Sequence, residues 1–403
     1  MNKNYDCVVF GASGFTGELV CEYIARSTSE KDSFKWAIAG RNFEKLQDVK
    51  RRLKIDVPTI VANSNDIDSL KKMAAETKVV ITTVGPYLRY GESLVEACIA
   101  EKTHYCDLTG ELPFIYNMVQ KYHEKAAKRG VKIVHSCGFD SVPSDCGNLL
   151  LQTALEKAGK APASQVRYYL MGAKGSFSRG TAESLMDVVS LAKGDANMRR
   201  VVANANSLTD LRPLYGKDQK KVIFDERRDF WTGPFLMESI NTRIVRRTNA
   251  LRSYAWGKDF DYTETTKLGE GAGAFLKGQA MRAGIGGFVA AALTKPTRKL
   301  VSKLLPEVGG GPSKEDRDNG FFKVELWGFT GRGDKKPVAT AVFKGPKDPG
   351  YGSTAMMLAE SGKTLARDEG PKCYGVGTPG AMLGLDLLDG LRKQGFQIEA
   401  KLS

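Results

Sequence analysis

The feature that most constrains this chain is a glycine-rich turn set between two apolar patterns of different period. In Asp6-Cys7-Val8-Val9-Phe10 four successive apolar residues follow the aspartate without alternation, as in a parallel strand covered on both faces, and the run ends at Gly11-Ala12-Ser13-Gly14-Phe15-Thr16-Gly17. Phe15, Leu19, Val20, Tyr23 and Ile24 then recur at helical spacing. A strand that turns into a helix through glycines points backbone N–H groups at one spot on the helix's positive end, where a dinucleotide pyrophosphate binds. Gly11 suits the tight turn, Gly14 the close approach of backbone to phosphate, and Gly17 the packing of helix on strand. Ser13 and Thr16 add hydroxyls. Gly11, Ala12, Ser13, Gly14, Phe15 and Thr16 are therefore candidate cofactor-binding residues. The GxxGxxG spacing is a weak motif alone and gains its force from the strand before it and the helix after it.

A second strand, Trp36-Ala37-Ile38-Ala39, ends at Gly40-Arg41-Asn42. NAD-binding chains place an acid here for the ribose hydroxyls. Glycine instead leaves room for a 2′-phosphate and Arg41 offers it a bidentate cation, so Gly40 and Arg41 favour NADP(H) over NAD. The pattern continues through Thr59–Ala62, a helix from Ile67, and Lys78–Val84 before Gly85-Pro86-Tyr87. Ligands of doubly wound sheets sit beyond the carboxyl ends of strands, which puts Gly85 and Pro86 beside the dinucleotide and lets Tyr87 face the nicotinamide. Further strands at His104–Asp107 and Val131–Val134 complete an alternation that calls for a parallel sheet.

At 403 residues the chain is expected to form two domains around separate cores. From about Asn148 the runs lengthen: Val166–Met171, the period-two stretch Phe322–Leu326, and Val338–Phe343 after Lys335-Lys336, the last two reading as a hairpin. The fold class expected is α/β, with an N-terminal Rossmann domain over 1–147, joined by 370–403. A second α+β domain on a mixed or antiparallel sheet, for substrate or dimerisation, takes 148–369. Gly180-Thr181-Ala182-Glu183-Ser184 leads into a helix and either presents amides to an anion or simply caps it. Thr378-Pro379 starts a helix with an apolar face of Met382, Leu383, Leu387, Leu388 and Leu391. The apolar stretch Ala283–Leu293 is too short to span a bilayer, and Leu300, Val301, Leu304 and Leu305 lie opposite Arg298, Lys299 and Lys303. Segment 283–305 is thus expected to touch a membrane or lipid droplet, to shelter an apolar substrate, or to serve as a loop-covered core helix or dimer contact.

Composition narrows the partners. Sixty Lys and Arg against 46 acids give +14, which favours anionic partners without choosing among them, and small basic clusters at Lys217, Lys220 and Lys221, at Arg243, Arg246 and Arg247, and around Arg298 also read as solvated surface. No recognition motif or interleaved aromatics accompany them, so nucleic acid is not expected. Seven cysteines in odd number, without C-x-x-C spacing, suggest reduced thiols in the cytosol. His104, His123 and His135 form no metal-ligand pattern. Only six residues precede the first apolar run, Cys7–Phe10, before its glycine turn, an order that excludes a signal peptide.

Phe10–Gly17, Ala39-Gly40-Arg41, Thr83–Tyr87, Tyr105–Glu111 and Cys137-Gly138-Phe139-Asp140-Ser141-Val142-Pro143-Ser144-Asp145, with weaker support in Asp348–Gly352 and Gly375–Pro379, resemble the saccharopine dehydrogenase-like oxidoreductases, including the trans-acting enoyl reductases. The resemblance covers nearly the full length. It implies an NADP-binding Rossmann domain, a second α+β domain, and relatives on lipid droplets or membranes. The Gly138–Pro143 turn departs from the Gly-Leu-Asp-Pro-Gly turn of saccharopine-forming reductases, which argues against lysine metabolism. The chemistry expected is NADPH-dependent reduction, of an activated C=C bond in a lipid-like substrate or of a saccharopine-type imine; a cofactor-binding scaffold at a lipid surface is the non-enzymatic alternative. Because the cofactor carries the hydride, the protein need only position the acceptor and steer a proton. Tyr87 is a candidate proton donor and Asp140 a candidate acid, base or orienting group, each against a plain packing or turn-forming role.

Overall fold

The computed structural model describes residues 3–28, 33–175, 179–211, 218–304, 310–331 and 333–403; Lys217 and Leu305 lie outside them. Six strands of the first half, β1 (Tyr5–Phe10), β2 (Trp36–Gly40), β3 (Thr59–Val61), β4 (Thr77–Thr82), β5 (His104–Cys106) and β6 (Lys132–Val134), pair in parallel. Seven further strands and a late addition complete the set: β7 (Gln165–Lys174), β8 (Ile223–Asp225), β9 (Phe230–Pro234), β10 (Asp261–Gly269), β11 (Phe321–Phe329), β12 (Ala339–Gly345), β13 (Gly375–Gly377) and β14 (Gln397–Leu402).

The first sheet runs β13-β6-β5-β4-β1-β2-β3. Its strand order reverses between β1 and β4, and the crevice beyond their carboxyl ends is where such sheets bind ligands. β2 is buried along its whole length, as its unbroken apolar run requires. The second sheet runs β14-β12-β11-β7-β10-β9-β8 and is mixed: β7 and β10 are parallel and the other neighbours antiparallel. β11 and β12 form the expected hairpin, and their alternating burial shows one face covered. Helix Val142–Lys157 covers it so closely that a Cβ on Gly147 would stand 3.0 Å from Leu326.

The cores are not separate. One apolar cluster runs from Val9 and Ile81 of the first sheet through Met357, Leu358 and Leu388 to Leu326 and Phe343 of the second. Its bridge is helix Gly352–Ala366, buried throughout and packed on β4, where a Cβ on Gly362 would meet Ile81 at 2.3 Å. The opposite face of the first sheet keeps its own cluster around Val8, Val80, Tyr105 and Ile133. Segment 370–403 serves both sheets, β13 adding to β6 and β14 to β12. The helix expected after Thr378 is two, Pro379–Met382 and Gly384–Lys393, broken where Gly384 takes φ +66°. Among the described residues no helix is long and apolar enough to cross a membrane, and no group of three His, Cys, Asp or Glu is placed to hold a metal.

Candidate functional site

The glycine loop has the stereochemistry its sequence demanded. Gly11 sits at φ +91°, and a Cβ there would lie 2.8 Å from both Thr83 Oγ1 and Val84 Cγ2, the residues that follow β4. A Cβ on Gly17 would fall 2.1 Å from the Gly11 carbonyl oxygen, so the helix can approach the turn only with glycine at this position. Gly14 caps helix Phe15–Ser27 without any side-chain bond, and no described residue accepts from the amides of Phe15, Thr16 and Gly17. Ser13 and Gly14 are exposed, while Ala12 is buried under the loop. A concave turn with orphan amides at a helix N-terminus fits a pyrophosphate. Phe15 plays a different part: its ring meets Tyr351 edge-on at 5.0 Å and lies under Gly311 and Arg317, so it ties the loop to the second sheet's connections.

At the tip of β2, Gly40 is buried and Arg41 exposed with no hydrogen-bond partner among the described residues. Asn42 next to it caps helix Phe43–Leu53 by accepting from the Lys45 amide. No acid occupies the tip, so an unpaired guanidinium is the dominant charge offered to a ribose substituent. These residues fit NADP(H): the loop amides would hold its pyrophosphate and Arg41 its 2′-phosphate.

Gly85 and Pro86 follow directly from the Thr83-Val84 step that abuts the glycine loop, which places them beside it. Tyr87 does not face the crevice as a donor. It is 5% exposed, its hydroxyl donates to the Thr82 carbonyl at 3.2 Å, and its ring packs on Phe114. With that proton already committed to the backbone in the core, Tyr87 is a packing residue. Its position depends on a residue that the sequence did not single out for a role. Glu111, fully buried, accepts from the amides of Tyr87 (3.0 Å) and Leu88 (2.8 Å) and from Ser184 Oγ (2.8 Å), fastening the turn after β4 to the helix Arg179–Gly194. Gly180–Ser184 lie within that helix rather than before it.

The turns after β5 and β6 are braced by a buried polar knot. Asp107 accepts from Tyr105 Oη (2.8 Å) and from the amides of Thr109 and Ser136, and His135 Nδ1 lies 2.7 Å from it. Ser136 holds φ +62° there, and the chain then runs through Gly138 and Phe139, whose amide donates to Thr354 Oγ1. This delivers Asp140 to the mouth of helix Val142–Lys157.

Asp140 lines a cavity of about 270 Å³ between the two sheets, and no described residue hydrogen-bonds its carboxyl. Thr16 of the glycine loop, Leu108 after β5, Phe235, Leu236 and Met237 after β9, and Thr354 share the wall. Burial without a compensating partner lifts Asp140 from 3.8 to about 7. The half-buried carboxyl is therefore shared between its acid and carboxylate forms near neutral pH. None of the described lining residues is Lys or Arg. The Phe235–Met237 stretch carries no signal in sequence, because only the pairing of β9 against β10 brings it here.

A Rossmann sheet with a fitted dinucleotide loop, facing a cavity closed by a second sheet, defines a two-lobed NADP-dependent oxidoreductase. The comparisons give the family. The saccharopine dehydrogenase NADP-binding domain matches residues 7–134. Trans-acting enoyl reductase of Mycobacterium tuberculosis is 36% identical over 408 residues, covering 96% of this chain and 95% of the relative. That of Mycobacterium ulcerans is 34% identical over 420 residues, covering 99% and 98%. The chain belongs to the saccharopine dehydrogenase-like oxidoreductases. Among solved structures, the apo saccharopine dehydrogenase (L-Glu forming) of Saccharomyces cerevisiae shares the fold, with a TM-score of 0.52 at 11% identity over 98% of this chain and 99% of that one.

Proposed function

We propose that the protein reduces an activated C=C bond of a lipid-like substrate with NADPH, and that Asp140 supplies the proton. The observation that carries this reading is the unpartnered Asp140 carboxyl, raised to about 7, in an apolar cavity that also includes Thr16 of the cofactor loop. When bound, NADPH supplies a hydride; saturation of the double bond then takes one proton, written as transfer from Asp140 Oδ to the substrate carbon next to its activating carbonyl. Leu108, Phe139, Phe235, Leu236 and Met237 exclude water from the reacting carbons and accept a hydrocarbon chain. The 34–36% identical relatives named trans-acting enoyl reductases support the same chemistry. An imine with amino-acid carboxylates fits less well, since the described wall offers those charges no cation.

The test is NADPH oxidation followed at the nicotinamide absorbance against a panel of α,β-unsaturated acyl thioesters of increasing chain length. Turnover that rises with chain length is expected. NADPH binding without turnover on any unsaturated acyl thioester would overturn the reading and leave a cofactor-holding scaffold.

A further inference from the structure

Helix Gly271–Ala292 breaks the usual rule for a helix on a protein surface, that the outward side is polar. Its inner face is Ala274, Gly278, Met281, Ile285, Phe288 and Ala292, recurring at three- and four-residue intervals. Gly278 lets it lie against the sheet, since a Cβ there would stand 2.5 Å from Leu268. The outer face is Leu276, Ala280, Ala283, Gly287 and Ala290, all exposed and all apolar or small. The 22-residue helix extends this surface over about 33 Å at 1.5 Å per residue. Leu276 is 66% exposed, Val289 37%, Leu293 40% and, on the following helix Lys295–Leu304, Leu300 63%. Beside it, Phe224 of the edge strand β8 meets Trp231 of β9 edge-on, and Trp231 packs at a tilt on Phe275 of the helix.

Charge decides what covers such a face. Residues 271–304 contain Lys277, Arg282, Lys295, Arg298, Lys299 and Lys303 and no Asp or Glu. Arg298 is held by Asp187, whereas Lys277, Lys299 and Lys303 are exposed. A second copy of this chain meeting the patch about a two-fold axis would set these cations against their own counterparts. Exposed hydrocarbon flanked by one sign of charge instead complements a surface with anionic headgroups over an apolar interior.

We propose that helices Gly271–Ala292 and Lys295–Leu304 dock the protein on an anionic phospholipid bilayer, lying in the headgroup layer with Leu276, Leu293 and Leu300 directed into the acyl boundary. Helix Arg179–Gly194 connects this face to the substrate cavity: Thr181 at its start lines the cavity, and Asp187 binds Arg298. The docking does not rest on the reductase reading and is measured without turnover.

The experiment is co-sedimentation of the full chain with vesicles of phosphatidylcholine alone or mixed with phosphatidylserine. Binding to the mixed vesicles, weakening with salt, and none to neutral ones is expected. Each lysine near an anionic surface contributes about fivefold in affinity, so Lys299→Gln with Lys303→Gln lowers binding about 25-fold. Leu276→Glu with Leu300→Glu removes it. These side chains are exposed, and circular dichroism melts identical to wild type show that each variant is folded. Absence of wild-type binding, equal binding to neutral vesicles, or lysine variants that bind like wild type would each overturn the proposal. So would a solution dimer that Leu276→Glu dissociates, which assigns the face to a second copy.

Discussion

Replacing Asp140 with Asn tests the candidate site through stability as well as rate. Burial raises this carboxyl from 3.8 to about 7, a shift of about 3 units, worth about 4 kcal/mol at most at about 1.4 kcal/mol per unit. The folded state keeps the proton where the unfolded chain has lost it. Wild-type stability from this group is therefore fully present below pH about 4, falls as pH rises from about 4 to about 7, and is level above that. Asn has the same shape and no charge. The variant should melt with wild type at pH about 4 and several degrees above it at pH about 8. The assay is a pair of thermal melts across that range and needs no substrate. In turnover the same change should lower kcat by about 10²–10⁴-fold, leaving NADPH affinity intact, and the wild-type rate should decline above pH about 7 as the acid form is lost. Melting curves of wild type and Asn variant that coincide at every pH would refute the raised carboxyl, and with it the proton-donor role.

Two predictions concern the candidate cofactor site. Arg41→Ala removes an exposed, unpaired guanidinium without touching the core; NADPH affinity by fluorescence titration should fall about 10–100-fold, as for a lost charge-assisted contact, with NADH little changed, and equal losses would contradict the 2′-phosphate role. Gly17→Ala puts a methyl 2.1 Å from the Gly11 carbonyl oxygen, so the helix must move off the turn, costing about 1–3 kcal/mol in denaturant melts and most of the NADPH affinity; a variant with wild-type stability and binding would show that the turn is looser than this packing implies.

The dinucleotide half was legible in sequence because its signals are local. The β1 run, the φ of Gly11 and the absence of an acid after β2 are each fixed within a few residues, and the β2–Arg41 tip follows from the same short stretch. The hairpin of β11 and β12 was visible for the same reason, its period-two pattern being carried by consecutive residues. Tyr87 shows where local reading stops. Its place after a strand suggested a ligand-facing hydroxyl, but the Thr82 carbonyl and Glu111, 24 residues further on, decide its orientation. Helix Glu238–Leu251 left no apolar period to read because its buried surface is largely polar, with Arg243, Arg246 and Asn249 inside. Nor did length reveal that the two sheets share one core through helix Gly352–Ala366.

The sequence by itself determined the strand-turn-helix whose shape fits a pyrophosphate, and the cation beside it, since backbone φ and charge at a turn depend on neighbours along the chain. Only the tertiary structure decided that the Asp140 carboxyl is raised to about 7, because its proton affinity is set by the loss of water. That loss comes from walls contributed by Thr16, Leu108, Phe235 and Thr354, residues hundreds of positions apart that meet only once both sheets have formed.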